Sequence, residues 1–221
     1  MRIVAVVPMK LNSRRYPNKN IKSFTNGEPL CRYVLQTLLQ VKAIDKIFVY
    51  CSDVSVLKYL PVGVEFIQRS EHLDGDTIKM NEVLKCFSEE VQSDIYVMTH
   101  VTAPFIRASS IERGIRAVLE EGYDSAFSAK KIQDFLWKND GPVNYDLENI
   151  SRTQDLEPLW METSGFYIYK RQVINQMKRR IGDSPFIVEV DEIESIDIDE
   201  KIDFEIADAI YNFFGNNVEK L

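Results

Sequence analysis

Ile3-Val4-Ala5-Val6-Val7 runs directly into Pro8-Met9-Lys10-Leu11-Asn12-Ser13-Arg14-Arg15-Tyr16-Pro17-Asn18-Lys19-Asn20. The first five residues are apolar without alternation and mostly β-branched. A strand with one wet face would alternate apolar and polar side chains. This one reads as covered on both faces, which is the situation of a central strand in a parallel sheet. The polar stretch behind it carries four cations between Lys10 and Lys19. A loop of that charge at the carboxyl end of such a strand lies where open α/β sheets bind ligands.

Working outward, strands and helices alternate. Pro29 opens a helical pattern in which Leu30, Val34, Leu38 and Val41 share one face. Lys46–Cys51 is a second strand, and Asp53 is placed to cap a short helix over Val54–Leu60. Val64–Ile67 is a third strand, Thr77–Val91 a helix and Asp94–Met98 a fourth strand. Ser109 or Ser110 can cap a helix running through Leu119, with Gly122 as its stop. Asp124–Ser128 is a fifth strand. The alternation then lapses until Gly165–Tyr169 resumes a strand, followed by a helix over Arg171–Arg180, a strand over Phe186–Val190 and a closing helix over Glu200–Phe213. This order predicts an α/β fold, a three-layer sandwich with a mostly parallel, Rossmann-like sheet. The expectation is a single domain over residues 1–221 with an inserted arm at about 133–165.

The chain has 221 residues, 34 of them acidic and 27 basic, for a net charge of −7. That balance argues against a general nucleic-acid binder, which carries a basic excess or stripe. No apolar run approaches the ~20 residues of a membrane span, and the amino terminus lacks the pattern of a secretion signal. The expectation is a cytoplasmic protein. Cys31, Cys51 and Cys86 form no C-x-x-C pair and read as reduced, buried thiols.

Two groups of residues could carry chemistry. The cations at Lys10, Arg14, Arg15 and Lys19 repel one another unless solvent or an anion intervenes, and a triphosphate is such an anion. On charge alone a solvated basic loop is equally admissible. Ser195-Ile196-Asp197-Ile198-Asp199 would, as a strand, set both aspartates on one face. Mg2+ relieves the repulsion of such a pair while bridging to phosphate oxygens, and a half-exposed edge strand is the plainer alternative. His100, at the end of the fourth strand, is open between ligand contact and simple packing.

The loop resembles the signature of the acylneuraminate and ketodeoxyoctonate cytidylyltransferases, roughly P-A-R-G-G-S-K-R-x-P-x-K-N. Pro8, Ser13, Arg15, Pro17, Lys19 and Asn20 match directly, Lys10 stands at the first arginine and Arg14 at the lysine, while Leu11 and Asn12 replace the glycine pair. Cys51-Ser52-Asp53 is similar to S-(S/T)-D, Arg69-Ser70-Glu71-His72-Leu73 to R-P-x-x-L, and His100-Val101-Thr102-Ala103-Pro104 to Q-P-T-S-P. Arg152-Thr153-Gln154-Asp155-Leu156 and Thr163-Ser164-Gly165-Phe166-Tyr167 match R-Q-x-L and N-G-x-x-Y loosely. Asp197 and Asp199, with Asp203-Phe204 behind them, resemble the closing motif. The resemblance implies that Lys10, Ser13, Arg14, Lys19 and Asn20 bind the phosphates of CTP or another nucleoside triphosphate. It implies Arg69 beside the base, and His100, Thr102, Gln154 and Tyr167 around a sialic-acid-like sugar acid. It further implies Mg2+ on Asp197 and Asp199, and a homodimer built through the arm. Transfer would give CMP-sugar and pyrophosphate, with Lys10, Arg14 and Lys19 stabilising charge on the phosphates.

Two other functions fit parts of this pattern. Asp197-Ile198-Asp199 is literally a D-x-D, as glycosyltransferases use to hold a nucleotide-sugar. A catalytically silent nucleotide-binding homologue would explain Lys10, Leu11 and Asn12.

Overall fold

The computed structural model describes residues 1–214. Its strands are β1 (Ile3–Met9), β2 (Lys46–Cys51), β3 (Val64–Gln68), β4 (Ile95–Thr99), β5 (Ser125–Ile132), β6 (Trp137–Lys138), β7 (Gly141–Pro142), β8 (Leu159–Lys170) and β9 (Pro185–Glu189). The helices are α1 (Leu30–Gln40), α2 (Met80–Glu90), α3 (Ala108–Glu120), α4 (Arg171–Met177) and α5 (Lys201–Phe214). Seven strands form one sheet in the order β3-β2-β1-β4-β8-β5-β9. All run in one direction except β8, which is antiparallel to both β4 and β5.

Every residue of β1 is buried, as its unbroken apolar run requires. Ile3, Ala5, Val7 and Met9 face a core shared with residues of α1, α3 and α5. Val4 and Val6 face the opposite core, filled from α2 and α4. Helices therefore cover both sides of the sheet, and the three-layer expectation holds. Gly114 shows how closely α3 approaches β8, since a β-carbon there would meet Ile168 Cδ1 at 2.7 Å.

The reversed β8 has a direct cause. Parallel neighbours need a crossover, usually a helix, whereas antiparallel neighbours can be joined by a loop. Residues 133–158 hold only the short β6–β7 pair and a 3-10 turn at Thr153–Asp155. The chain accordingly returns beside β5 in the opposite sense. Past an irregularity between Phe127 and Ala129, β5 and β8 continue as a two-stranded ribbon from Ala129↔Glu162 to Ile132↔Leu159. The excursion is thus 133–158: it starts where expected and ends earlier, because residues 159–165 belong to β8.

Four local readings need correction. Ser195–Asp199 is not a strand: Ser195 and Ile196 close turns onto Asp191 and Ile193, and Asp203 caps the backbone N–H groups of Asp199 and Glu200. The α3 helix begins at Ala108 behind Arg107, so neither Ser109 nor Ser110 caps it. The α2 helix starts at Met80 rather than Thr77, and α4 stops at Met177 because Lys178 turns left-handed at φ 55°. Asp53 does cap its short helix, accepting from the Ser55 N–H at 2.8 Å.

Candidate active site

The carboxyl ends of β1 and β4 open into a cavity of about 330 Å3. Lys10, Ser13, Arg14, Arg15, Lys19 and Asn20 line it from the loop after β1. Arg69, just past β3, and His100 and Thr102, just past β4, complete the wall. Nine of the residues picked from sequence thus meet in one crevice.

The loop is built from its own polar groups. Asn18 takes the left-handed conformation at φ 58° and turns the chain into the 3-10 segment Lys19–Ile21. Asn20 is buried and donates from Nδ2 to the Lys10 carbonyl at 2.8 Å, tying the loop's ends together. Leu11 packs against the core beneath. Leu11 and Asn12 both keep ordinary negative φ, so the backbone does not demand glycine there.

The cations are not left facing one another. Arg14 and Lys10 (at 4.0 Å) pair with Asp76. Arg15 grips Asp199 through two bonds of 2.7 and 2.6 Å. Lys19 is only 8% exposed and donates to the Ile198 carbonyl at 2.6 Å, with Asp199 Oδ1 at 3.4 Å. With Arg69 included, five cations meet Asp74, Asp76, Asp197 and Asp199, so the crevice keeps a positive excess, which suits an anion.

Although Ser195–Asp199 is irregular, its side chains still alternate. Ile198 is fully buried and its N–H bonds the Thr102 carbonyl at 2.8 Å. Asp199 meets the cavity wall through Arg15 and Lys19, and Asp197 meets it through Thr102, the two carboxylates being close enough that the Asp199 charge acts on Asp197. Burial, then the Asp199 charge, push the Asp197 carboxyl above its ordinary range, against a hydrogen bond from Thr102. Its Oδ1 is buried and has no hydrogen-bond partner. A buried carboxylate oxygen without a donor is the kind of ligand a hard cation takes. Among the described residues no cluster of three or more His, Cys, Asp or Glu could hold a metal by itself. The donor set therefore fits Mg2+ arriving with phosphates, since that ion commonly uses one or two carboxylates and fills its remaining positions from phosphate and water.

Arg69 is buried and fixed by Asp74, through Nε at 3.2 Å and Nη2 at 2.6 Å, with the Tyr50 ring below. His100 sits on the cavity floor. Burial, then the Arg180 and Lys19 charges, lower its pKa to about 4, so the ring is neutral at pH 7.

Gln154 and Tyr167 lie elsewhere. Gln154 is exposed on the excursion, where its carbonyl accepts from Gln133. Tyr167 is buried in β8, with its hydroxyl on Glu162 at 2.7 Å and the Arg180 guanidinium 3.9 Å from its ring centre. It underlies a second pocket of about 420 Å3 lined by Lys79, Met80, Asn81, Glu162, Arg179, Arg180, Ile181 and Gly182. Met80 belongs to both cavities, so they adjoin. Sequence reading missed Arg180, which lies beyond a short helix in no matched motif. Arg15 was matched, but its hold on Asp199 was not foreseen.

A parallel-sheet domain whose strand ends gather cations and a pair of aspartates is of the nucleotidyltransferase type. The family model described as Cytidylyltransferase matches residues 4–211, and the chain belongs to that family. It is 25% identical over 223 residues to N-acylneuraminate cytidylyltransferase A of Danio rerio, covering 96% of this chain and 51% of that protein. It is 24% identical over 220 residues to the Helicobacter pylori protein named pseudaminic acid cytidylyltransferase and UDP-2,4-diacetamido-2,4,6-trideoxy-beta-L-altropyranose hydrolase, covering 95% and 42%. The chain thus spans about half the length of these curated relatives or less. Its fold superimposes with TM-score 0.74 on CMP:2-keto-3-deoxy-manno-octonic acid synthetase complexed with CTP, at 18% identity over 96% of this chain and 99% of that one.

Proposed function

We propose that this chain transfers CMP from CTP to a sialic-acid-like sugar acid, releasing pyrophosphate. The observation that carries the reading is a cavity lined by the cationic loop and buried Lys19, with the Asp197–Asp199 pair bonded to its wall through Thr102, Arg15 and Lys19, in a member of the cytidylyltransferase family. The names of the relatives, which are sialic and pseudaminic acid cytidylyltransferases, support the choice of acceptor class.

A hydroxyl of the acceptor attacks the α-phosphorus of CTP. A phosphorus–oxygen bond forms to the sugar, the bond to the β-phosphate oxygen breaks, and the hydroxyl proton is released. Lys10, Arg14 and Lys19 bind the phosphates and stabilise charge on the departing pyrophosphate. Ser13 and Asn20 hold the loop and its backbone donors around them. Asp197 and Asp199 would hold Mg2+, which supplies charge neutralisation on the phosphates when bound. Arg69, held rigid by Asp74, lies beside the base. Neutral His100 can donate or accept one hydrogen bond to the acceptor, with Thr102 next to it. Positioning and fixed charge account for most of the rate, as in phosphoryl transfer generally.

A homodimer through the excursion and a cytoplasmic location belong to the same proposal. Exposed Phe135, Trp137, Leu147 and Trp160 on the excursion and ribbon support the first, and three free cysteines the second. The test is pyrophosphate release with four nucleoside triphosphates against N-acetylneuraminate, pseudaminate and 3-deoxy-manno-octulosonate. Release with CTP and one of these acids is expected. Absence of release from every pair, with sugar transfer from a finished nucleotide-sugar instead, would overturn the reading.

A further inference from the structure

Five arginines line the two adjoining cavities, and four of them are matched by a carboxylate. Arg14 has Asp76, Arg15 has Asp199, Arg69 has Asp74 and Arg179 has Asp183. Arg180 is the exception: among the described residues its recorded partners are the ring and hydroxyl of Tyr167, and no acidic group pairs with it. The guanidinium carbon lies 3.9 Å from the centre of a buried aromatic ring and the group bonds that ring's hydroxyl, which holds it in place in the pocket wall. It is close enough to His100, on the floor of the neighbouring cavity, for its charge to act on that ring. Lys79 adds a second positive charge to the pocket wall, while Glu162 contributes acceptor oxygens.

Resting on the proposed reaction, we infer that Arg180 is the receptor for the acceptor's carboxylate and sets the requirement for an acidic sugar. A planar guanidinium matches a carboxylate through two parallel hydrogen bonds, which a lysine cannot reproduce. The side pocket places that carboxylate beyond Met80, with the sugar lying from Arg180 towards His100 and the phosphates. Glu162, already accepting from the Tyr167 hydroxyl, repels a second acid group but accepts from sugar hydroxyls. This division of labour selects a polyhydroxylated monoacid.

The experiment compares wild type, Arg180→Met and Arg180→Lys in the full chain. It uses whichever of N-acetylneuraminate, pseudaminate or 3-deoxy-manno-octulosonate releases most pyrophosphate with CTP. Loss of a charge-assisted bidentate contact predicts an acceptor KM raised about 10- to 100-fold in Arg180→Met. The KM for CTP and the urea midpoint should stay unchanged, with Arg180→Lys intermediate. Calorimetric binding of the same acid and of its methyl ester, in the presence of CTP, gives a readout independent of turnover. Wild type should prefer the acid, and Arg180→Met should bind the two equally. An unchanged acceptor KM, or an equal rise in both KM values, overturns this assignment while leaving the reaction standing. A wild type that neither turns over nor binds any of the three acids overturns both.

Discussion

Removing Asp74 should destabilise the protein through Arg69. The Arg69 side chain is 4% exposed and that of Asp74 21%, so the pair lies at the inner edge of the crevice. Asp74 Oδ1 takes both guanidinium bonds, while Oδ2 accepts from Ser52 at 2.5 Å. Asp74→Ala leaves a buried cation with only the Tyr50 ring beneath it. Stranding one partner of a buried pair costs about 3–5 kcal/mol. The partial exposure of Asp74 admits water and sets the expectation near the lower end, about 3 kcal/mol. For a chain of this size that lowers the melting temperature by about 6–12 °C. Urea denaturation followed by far-ultraviolet dichroism should show a lower midpoint at constant slope. Arg69→Met alone should cost less. In Asp74→Ala/Arg69→Met the two losses should fall short of adding by at least about 2 kcal/mol. A loss below about 1 kcal/mol for Asp74→Ala, or additive losses in the double variant, would show that Arg69 is solvated rather than held by Asp74.

Asp197→Asn should abolish pyrophosphate release, by about 100-fold or more, while leaving the urea midpoint unchanged or higher, because a half-buried charge whose Oδ1 has no donor has been removed with the Thr102 bond still possible; a large loss of stability would assign the residue to the fold instead. His100 titrates at about 4 when folded against an ordinary 6.5, so the unfolded chain binds its proton first as pH falls. Stability should drop between pH 6.5 and pH 4 by up to about 3 kcal/mol, and His100→Gln should lack that component when denaturation midpoints are compared across the window. Leu11→Gly should weaken the fold by about 1–2 kcal/mol without tightening nucleotide binding, since the position has negative φ and packs on the core. Calorimetry with CTP showing a gain in affinity would mean that the glycine pair matters for backbone approach.

What was legible in the sequence was whatever depends on local pattern. The unbroken run Ile3–Val7 announced a strand buried on both faces, and the cationic loop behind it lines the cavity at that strand's end. The direction of β8 was not announced by any residue in it. It follows from the lack of a crossover helix in 133–158, a fact about the connection rather than the strand. Period-two acids at Asp197 and Asp199 suggested a regular strand, whereas the structure keeps their common side through one bond from Ile198 to Thr102. Repulsion among the loop cations was overstated, because Asp76 and Asp199 come from distant parts of the chain and meet them only after folding. Arg180 was invisible for the same reason, its meaning lying in Tyr167 beneath it and in the carboxylate it lacks.

The ribbon formed by β5 and β8 has a consequence for how this molecule can be taken apart. Ile132 and Leu159 stand directly opposite at its tip, the two ends of the excursion. A two-residue Asn-Gly turn can therefore replace everything between them with the ladder left whole. The excursion is in that sense a cassette: it can be excised, exchanged or grafted without rethreading the sheet. Comparing the trimmed chain with the full one would test the proposed dimer contact separately from the proposed nucleotide chemistry in a single piece of surgery.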